Sequence, residues 1–565
     1  MKLTTARIKI WLILLVFFFT SCKKQNTDNS LNVRIKSDPE SLNPVTFRSK
    51  TTRQIFDLVY QSLFEVTLPD GKLQPVLANK IPEISSSDSG YFATISIREE
   101  ARWTDDKKVT SNDVAFSIKL LNLPGGEKMG ITNATYFIKK ITINDESHIT
   151  LQFEGNSPDE FVKFNDFYIY PETVLDPKNV LKKYSLDSLR SGILTNDLAD
   201  FGDNISAINF LENPDKIVGS NAYNLGSWLP SQRLILERKP NFWFKDLQIP
   251  YLQANPKKIT FDIIPNDYSA LIALENNRLD VLDNISPEDF SKLKSNKTLE
   301  EQFNFFSAGT YGVTFLALNA RNKYLNDQNF RKGLSFSVPY DEIIRVALSG
   351  SGEGTIGFIP PHQQEYYHKN IQPRIFNKDS ASIYFHKAGF RLEDGKLKKR
   401  GNEVTFELLY NPALKEHETS ALLIQDSFAQ AGIDVQPTSV DKNLIRQKLH
   451  NFEYDMCVYS LFGGPFSFNY EYILHSSFTP PKGLNFTSFG NEHSDSLIYA
   501  INESADLERR KKLLFEFQEL VFEECNIIFL YNERNNIAIS SRFENLKISA
   551  LKPGYNLAAF KLNNR

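Results

Sequence analysis

Strand-like and helix-like hydrophobic periods alternate along almost the whole of this 565-residue chain, and that alternation limits the fold more than any single motif does. Leu31–Lys36, Arg233–Glu237 and Ile259–Ile264 alternate as strands do. Ser111-Asn112-Asp113 precedes Val114, Ile118 and Leu121, a polar start followed by one apolar helical face. Leu507 to Cys525 reads as a long amphipathic helix with Leu513, Phe517 and Leu520 on one side. Ala388-Gly389-Phe390 and Ala431-Gly432-Ile433 place glycine where a helix closes through a left-handed residue. The class is therefore mixed α/β. At roughly 100–200 residues per domain the length suits three to five domains. No internal repeat follows residue 30, and only 26 residues are glycine, which argues against a fold built from glycine-rich phosphate loops.

The N-terminus carries a different signal. Lys2, Arg7 and Lys9 precede an unbroken apolar run of ten, Ile10 to Phe19. A spanning helix needs ~20 residues, so the run fits the core of a secretory signal instead. Phe19-Thr20-Ser21-Cys22 then resembles the lipobox of bacterial lipoproteins, with Phe19 in place of the usual Leu. Cys22 is the expected lipid attachment point, 1–21 the removed signal, and 22–30 a polar tether. An ordinary cleaved signal beside Cys22 is the other reading. Of the remaining cysteines, Cys457 lies in a strand-like run and Cys525 ends the last long helix. Two thiols packed as small hydrophobes is the reading preferred over a disulfide.

Charge is nearly balanced, with 65 Lys+Arg against 68 Asp+Glu, so no basic excess points to nucleic acid. The eight histidines are scattered, and His417-Glu418 has Ala421 where a zinc helix would place its second histidine. No Gly-x-Ser-x-Gly elbow and no Walker loop is present. Gly352, Gly354 and Gly357 match the spacing of a dinucleotide fingerprint, but they follow the helical stretch Asp341 to Leu348 and run into Pro360-Pro361. That order inverts the strand–loop–helix such a site requires, so a connecting loop is expected.

Five blocks in order carry a family resemblance. The first is Asp38-Pro39-Glu40-Ser41-Leu42-Asn43-Pro44, with Leu58 to Phe64 and Gly71 to Ala78 after it. The second is Ile97 to Asp106 with Val109 to Val114, in which Asp106 stands where the family has glycine. The third is Val218 to Tyr223 with Trp228 and Leu236 to Trp243; the fourth is Leu316 to Asn319, Asp327, Phe330 to Leu334 and Ile359-Pro360-Pro361. The fifth is Asn485 to Phe489 with Asp495 to Ile498. Together they resemble extracellular solute-binding proteins of family 5, the oligopeptide, dipeptide and nickel receptors of ABC importers. Arg98, Trp103, Asp106 and Trp243 read as packing and turn residues rather than ligand contacts.

The resemblance implies a large two-lobed periplasmic-binding fold of three domains with a hinge: 31–60 plus 213–305 plus 533–565 as domain I, 61–212 as domain II, and 306–532 as domain III. It implies a monomeric receptor, with no catalysis, no cofactor and no metal site. Its partners would be a peptide or other small solute, a permease with its ATPase, and the membrane through the lipid, on the periplasmic face of a bacterial membrane. Family peptide receptors pair the ligand's α-ammonium with an Asp in a Trp-x-x-Asp-Tyr segment. Here Leu461 and Gly464 occupy the Trp and Asp positions. Either the amine is held elsewhere, by Asp38 or another acid, or the ligand is not a free-amine peptide. Asp38 also reads as a turn cap at Pro39. The other candidate ligand residues are Thr310, Tyr311, Phe462, Gly463, Gly464 and Phe466, with Phe468 joining them if it too faces the cleft. Nickel chelates, haem and oligosaccharides remain alternative ligands. A secreted lipoprotein hydrolase is the less favoured function, and a helical-repeat glycan-capturing lipoprotein conflicts with the strand-rich pattern.

Overall fold

The computed structural model describes residues 29–563 apart from 44, 47–48, 69–70, 88–89, 127–130, 132–133, 154–157, 211, 214–215, 467 and 505. The signal, Cys22 and most of the tether lie outside the described residues. Among those described, a ten-stranded mixed sheet runs in the order Asp434–Ser439, Thr405–Tyr410, Met456–Phe462, Phe303–Leu318, Ile527–Ser540, Val281–Leu282, Ser30–Ile35, Lys258–Ile263, Arg233–Arg238, Tyr223–Leu229. A four-stranded antiparallel sheet, Ser85–Ser87, Gly90–Ser96, His148–Phe153 and Ile138–Ile143, stands apart from it.

Two long strands at the centre of the large sheet decide the architecture. Phe303–Leu318 and Ile527–Ser540 pair antiparallel along almost their whole length, from Phe303 with Ser540 to Ala317 with Ile527. At one end they join Val281–Leu282 and the Ser30–Ile35 group; at the other they join Met456–Phe462. The pairing breaks in the middle, where Gly309 pairs with Arg534 and the next partners are Val313 and Asn532, and shifts again between Thr314 and Phe315. Thr310, Tyr311 and Gly312 therefore lie against the single residue Glu533. A bulge of this kind bends and twists the ribbon locally.

Packing follows the same division. One apolar core joins Leu31–Ile263 side chains to Ile537, Ile539 and the C-terminal Tyr555, Leu557 and Phe560. Beyond the bulge, alternate residues of one strand face two other cores. Val313, Phe315 and Ala317 point into one with Cys457, and Leu316 and Leu318 point into the other with Met456 and Val458. The strand is apolar on both faces because both are covered.

The local readings have physical counterparts. The helix Ser111–Leu120 starts on a capping box in which Asp113 Oδ2 accepts the Thr110 amide at 2.8 Å. Gly389 and Gly432 close their helices at φ 82° and 80°. Asp106, at the position where the family has glycine, adopts φ 67°. The last long helix is Leu507–Glu524, but its buried stripe is Leu514, Phe517 and Val521, one residue on from Leu513 and Leu520. Cys457 and Cys525 are both buried and unpaired. Gly352, Gly354 and Gly357 lie in the loop after the helix Tyr340–Val346, where Glu353 bridges to Asn532 beside the bulge. No described helix is long and apolar enough to cross a membrane.

Candidate functional site

The bulge collects the residues of the candidate site. Asn532 is buried at the break, and its side-chain amide donates to the carbonyls of Thr310 at 2.9 Å and Gly312 at 2.8 Å. Thr310 is buried as well; its hydroxyl donates to the Glu533 carbonyl and accepts the Gly312 amide. Both side chains are engaged in fixing the bend, so Thr310 has its polar atom committed to backbone. Tyr311 is half-buried, packs edge-on against His362 with ring centres 4.9 Å apart, and accepts the Gly463 amide on its carbonyl at 2.9 Å. Burial pushes the Tyr311 phenol up to about 12 and pulls the neighbouring His362 down, the Arg534 cation adding to the latter.

Gly463, Gly464 and Phe466 follow the strand Met456–Phe462, and of these Gly463 is hydrogen-bonded to Tyr311 through its amide. Gln363 donates to the Pro465 carbonyl at 2.7 Å and steadies this turn. Phe462 is 46% exposed, whereas Phe468 is only 3% exposed and packs on Tyr366. Phe468 is therefore core and not a cleft residue. Asp38 is elsewhere: its two oxygens accept the Trp228 indole N–H and the Ser231 amide, each at 2.8 Å, bracing the turn between Tyr223–Leu229 and Arg233–Arg238.

Two segments distant in sequence reach this turn. Gly71 follows the turn between Phe64–Thr67 and Lys72–Pro75; a methyl group on it would stand 3.8 Å from the Pro465 Cβ and 3.8 Å from the Tyr311 hydroxyl. From the C-terminal segment, the Lys552 ammonium lies 3.9 Å over the centre of the Phe462 ring. The segment 462–466 thus meets chain from both the Phe64–Pro75 hairpin and the C-terminal region.

Sequence motifs did not reveal a polar row beneath it. His417 Nε2 lies 2.8 Å from the Ser460 hydroxyl, which lies 2.7 Å from the Thr314 hydroxyl, which donates to Glu533 Oε1 at 3.0 Å. A serine beside a histidine invites a nucleophile–base reading, but the geometry does not support one. His417 Nδ1 is buried without a hydrogen bond among the described residues, so no acid orients the ring. Burial also drops the His417 pKa to about 4, which makes it a poor base. No group of three or more metal-ligating side chains comes together among the described residues.

Trp243 donates its indole N–H to Gln61 at 3.0 Å, Trp103 is buried against Asp113, and Arg98 binds the Val76 and Pro75 carbonyls. Close to Gln61, Asp57 keeps half of its side-chain surface accessible while burial raises its pKa and Tyr168 donates to it at 2.7 Å. Glu65, crowded by burial and by Asp57, is raised to about 8.

The profile of the bacterial extracellular solute-binding proteins, family 5, matches residues 72–481. The chain belongs to that family. It is 24% identical over 569 aligned residues to the oligopeptide-binding protein AppA of Bacillus subtilis (strain 168), covering 97% of this chain and 96% of that one. It is 23% identical to the probable D,D-dipeptide-binding periplasmic protein DdpA of Escherichia coli (strain K12), covering 89% and 88%. Among solved structures, the Bacillus subtilis AppA complex with a nonapeptide superposes with a TM-score of 0.68 at 20% identity, covering 95% of this chain and 99% of that one. NikA from Brucella suis in complex with Fe(III)-EDTA superposes at 0.74 with 16% identity, covering 94% and 100%. These family 5 neighbours share the two-lobed mixed α/β architecture, and the family is one of extracellular solute receptors rather than enzymes.

Proposed function

We propose that this chain is a lipid-anchored receptor that captures a peptide or peptide-like solute between its lobes and delivers it to an ABC permease and its ATPase. The observation that carries the reading is the convergence of Gly71, Tyr311, Phe462, Gly463 and Pro465 at the bulge between the strands Phe303–Leu318 and Ile527–Ser540. Family membership and the names of the relatives, oligopeptide- and dipeptide-binding proteins, support a peptide over other solutes. The domain limits proposed are 31–60 with 213–305 and 533–565, then 61–212, then 306–532, so that closure turns on residues 309–313 and 532–534. Cys22 is proposed as the lipid site, and Tyr311, Phe462, Gly463, Gly464 and Phe466 as cleft residues. Asp38 and Thr310 are proposed only as supports, because their polar atoms serve the protein itself.

Calorimetry with di- to pentapeptides tests this directly. Micromolar or tighter binding of at least one length class, with a negative heat-capacity change as apolar surface is buried, is expected. Binding of a metal chelate or an oligosaccharide, with none of any peptide, would overturn the peptide reading.

A further inference from the structure

We propose that Glu533 and Phe462 form a cation subsite in the cleft, held in this structure by the ammonium of Lys552 and open to the amine of a ligand. This rests on the peptide-receptor reading for the identity of the ligand, but not for the existence of the subsite.

Gly312 pairs with Phe462 on one neighbouring strand and lies beside Glu533 on the other. Gly312 has no side chain, and the Phe462 ring lies in the space that one would need. Glu533 Oε2 stands 3.1 Å from that same point, so the carboxylate and the ring edge are neighbours across the glycine. An aromatic ring is positive at its edge and negative on its face. A cation over the face is therefore attracted to the ring, as the Lys552 ammonium is at 3.9 Å from its centre, and a carboxylate close by adds to the negative potential there.

The carboxylate is also held in place. Oε1 takes the Thr314 hydroxyl at 3.0 Å, and Thr314 is itself fixed by Ser460 and, through it, by buried His417. Oε2 makes no hydrogen bond among the described residues. In the strand Ile527–Ser540 only Glu533 and Arg534 are not buried, and both lie at the bulge. A positioned acid with one oxygen to spare, beside an exposed aromatic face already bearing an ammonium from the opposite lobe, is a site for a primary amine. A ligand's amine would compete with Lys552 for it.

The experiment has two arms. In the first, saturation-transfer NMR measures binding of n-butylammonium, the analogue of a lysine head, to the full protein and to Lys552→Met, with n-pentanol as the neutral control. Lys552→Met should bind the amine at least ~10-fold more tightly than the native protein, within the range expected of a charge-assisted contact. Adding Glu533→Gln should remove that gain, while pentanol binding stays the same. Equal amine binding with and without Glu533, or binding of pentanol as strong as of the amine, would overturn the subsite.

In the second arm, calorimetry compares trialanine with N-acetyl-trialanine. Glu533→Gln should reduce any free-amine preference ~10-fold or more, and a preference that survives intact would exclude this subsite as the ligand's amine site. If neither peptide binds but the first arm holds, the peptide reading fails and the cation subsite stands. Glu533→Gln is close to isosteric and keeps the Thr314 contact, and an unchanged circular dichroism spectrum separates loss of the site from loss of fold.

Discussion

Joining Gly71 to Pro465 covalently would test the proposal that the lobes close on each other at this turn. A methyl on Gly71 lies 3.8 Å from the Pro465 Cβ, within the ~3.5–4.5 Å between Cβ atoms of a disulfide. The pair Gly71→Cys and Pro465→Cys should therefore form a bond under mild oxidation, and the native thiols Cys457 and Cys525 should not interfere because both are buried. The bond would close a loop of about 390 residues, for which restricting the unfolded chain contributes about 5 kcal/mol at the upper end of the observed range. Gly71 has φ +65°, so cysteine there costs about 1–3 kcal/mol of backbone strain. The net expectation is ~2–4 kcal/mol of stabilisation, from the difference between those two figures. It would be read as a rise of the urea midpoint in the oxidised form relative to the reduced one. Solute entry should be blocked in the oxidised form and restored by reductant. If each single-cysteine variant folds and the double variant stays reduced under diamide, the lobes do not meet at 71 and 465, and the closing contact is misplaced.

Other consequences are open to direct measurement. Gly464→Asp should add or strengthen a preference for free-amine over acetylated peptides by ~10–100-fold in calorimetry, as a desolvated charge-assisted contact of about 1.5–3 kcal/mol would; no change would remove Gly464 from the amine end of the cleft. Arg331 is buried, binds the Leu325, Asn326 and Glu524 carbonyls and pairs with Glu524 at 3.2 Å. Arg331→Met should cost ~2–4 kcal/mol in urea unfolding, the range for an uncompensated buried network discounted for the partly exposed Glu524. Glu65 has a folded pKa near 8, above its ordinary 4.5. The folded protein thus holds a proton that the unfolded chain releases, so this contribution is full below about 4.5 and is lost as pH rises through 8. Glu65→Gln should flatten that fall, and an unchanged pH profile would show that Glu65 is not desolvated. Finally, Cys22→Ser should leave the precursor uncut or the protein released from membranes on fractionation.

How far the residues foretold the structure depends on the range of the interaction. Gly389 and Gly432 were legible because only a left-handed residue closes a helix in that way, and φ values of 82° and 80° follow from local sterics. The buried stripe of Leu507–Glu524 was placed one residue off, since Leu513 and Leu514 both fit a helical period and only the packed core chooses between them. Phe462, Phe466 and Phe468 look alike in sequence; Tyr366, brought against Phe468 by tertiary packing, makes one of them core. Asp38 could be read as a turn cap or a ligand acid. Its actual partners, Trp228 and Ser231, lie nearly two hundred positions away and join it only when the sheet forms. Glu533 was invisible for the same reason: nothing in Tyr531-Asn532-Glu533 announces a neighbour in Phe462 until the strand Phe303–Leu318 sets Gly312 between them.

Native mass spectrometry of the protein, purified without denaturant from a bacterium that exports it, bears most directly on the claim that the cleft holds a peptide-like solute. A small adduct that leaves on activation and fragments into amino-acid residues is the expected result. An adduct that carries a metal isotope pattern or fragments as sugar units would contradict it.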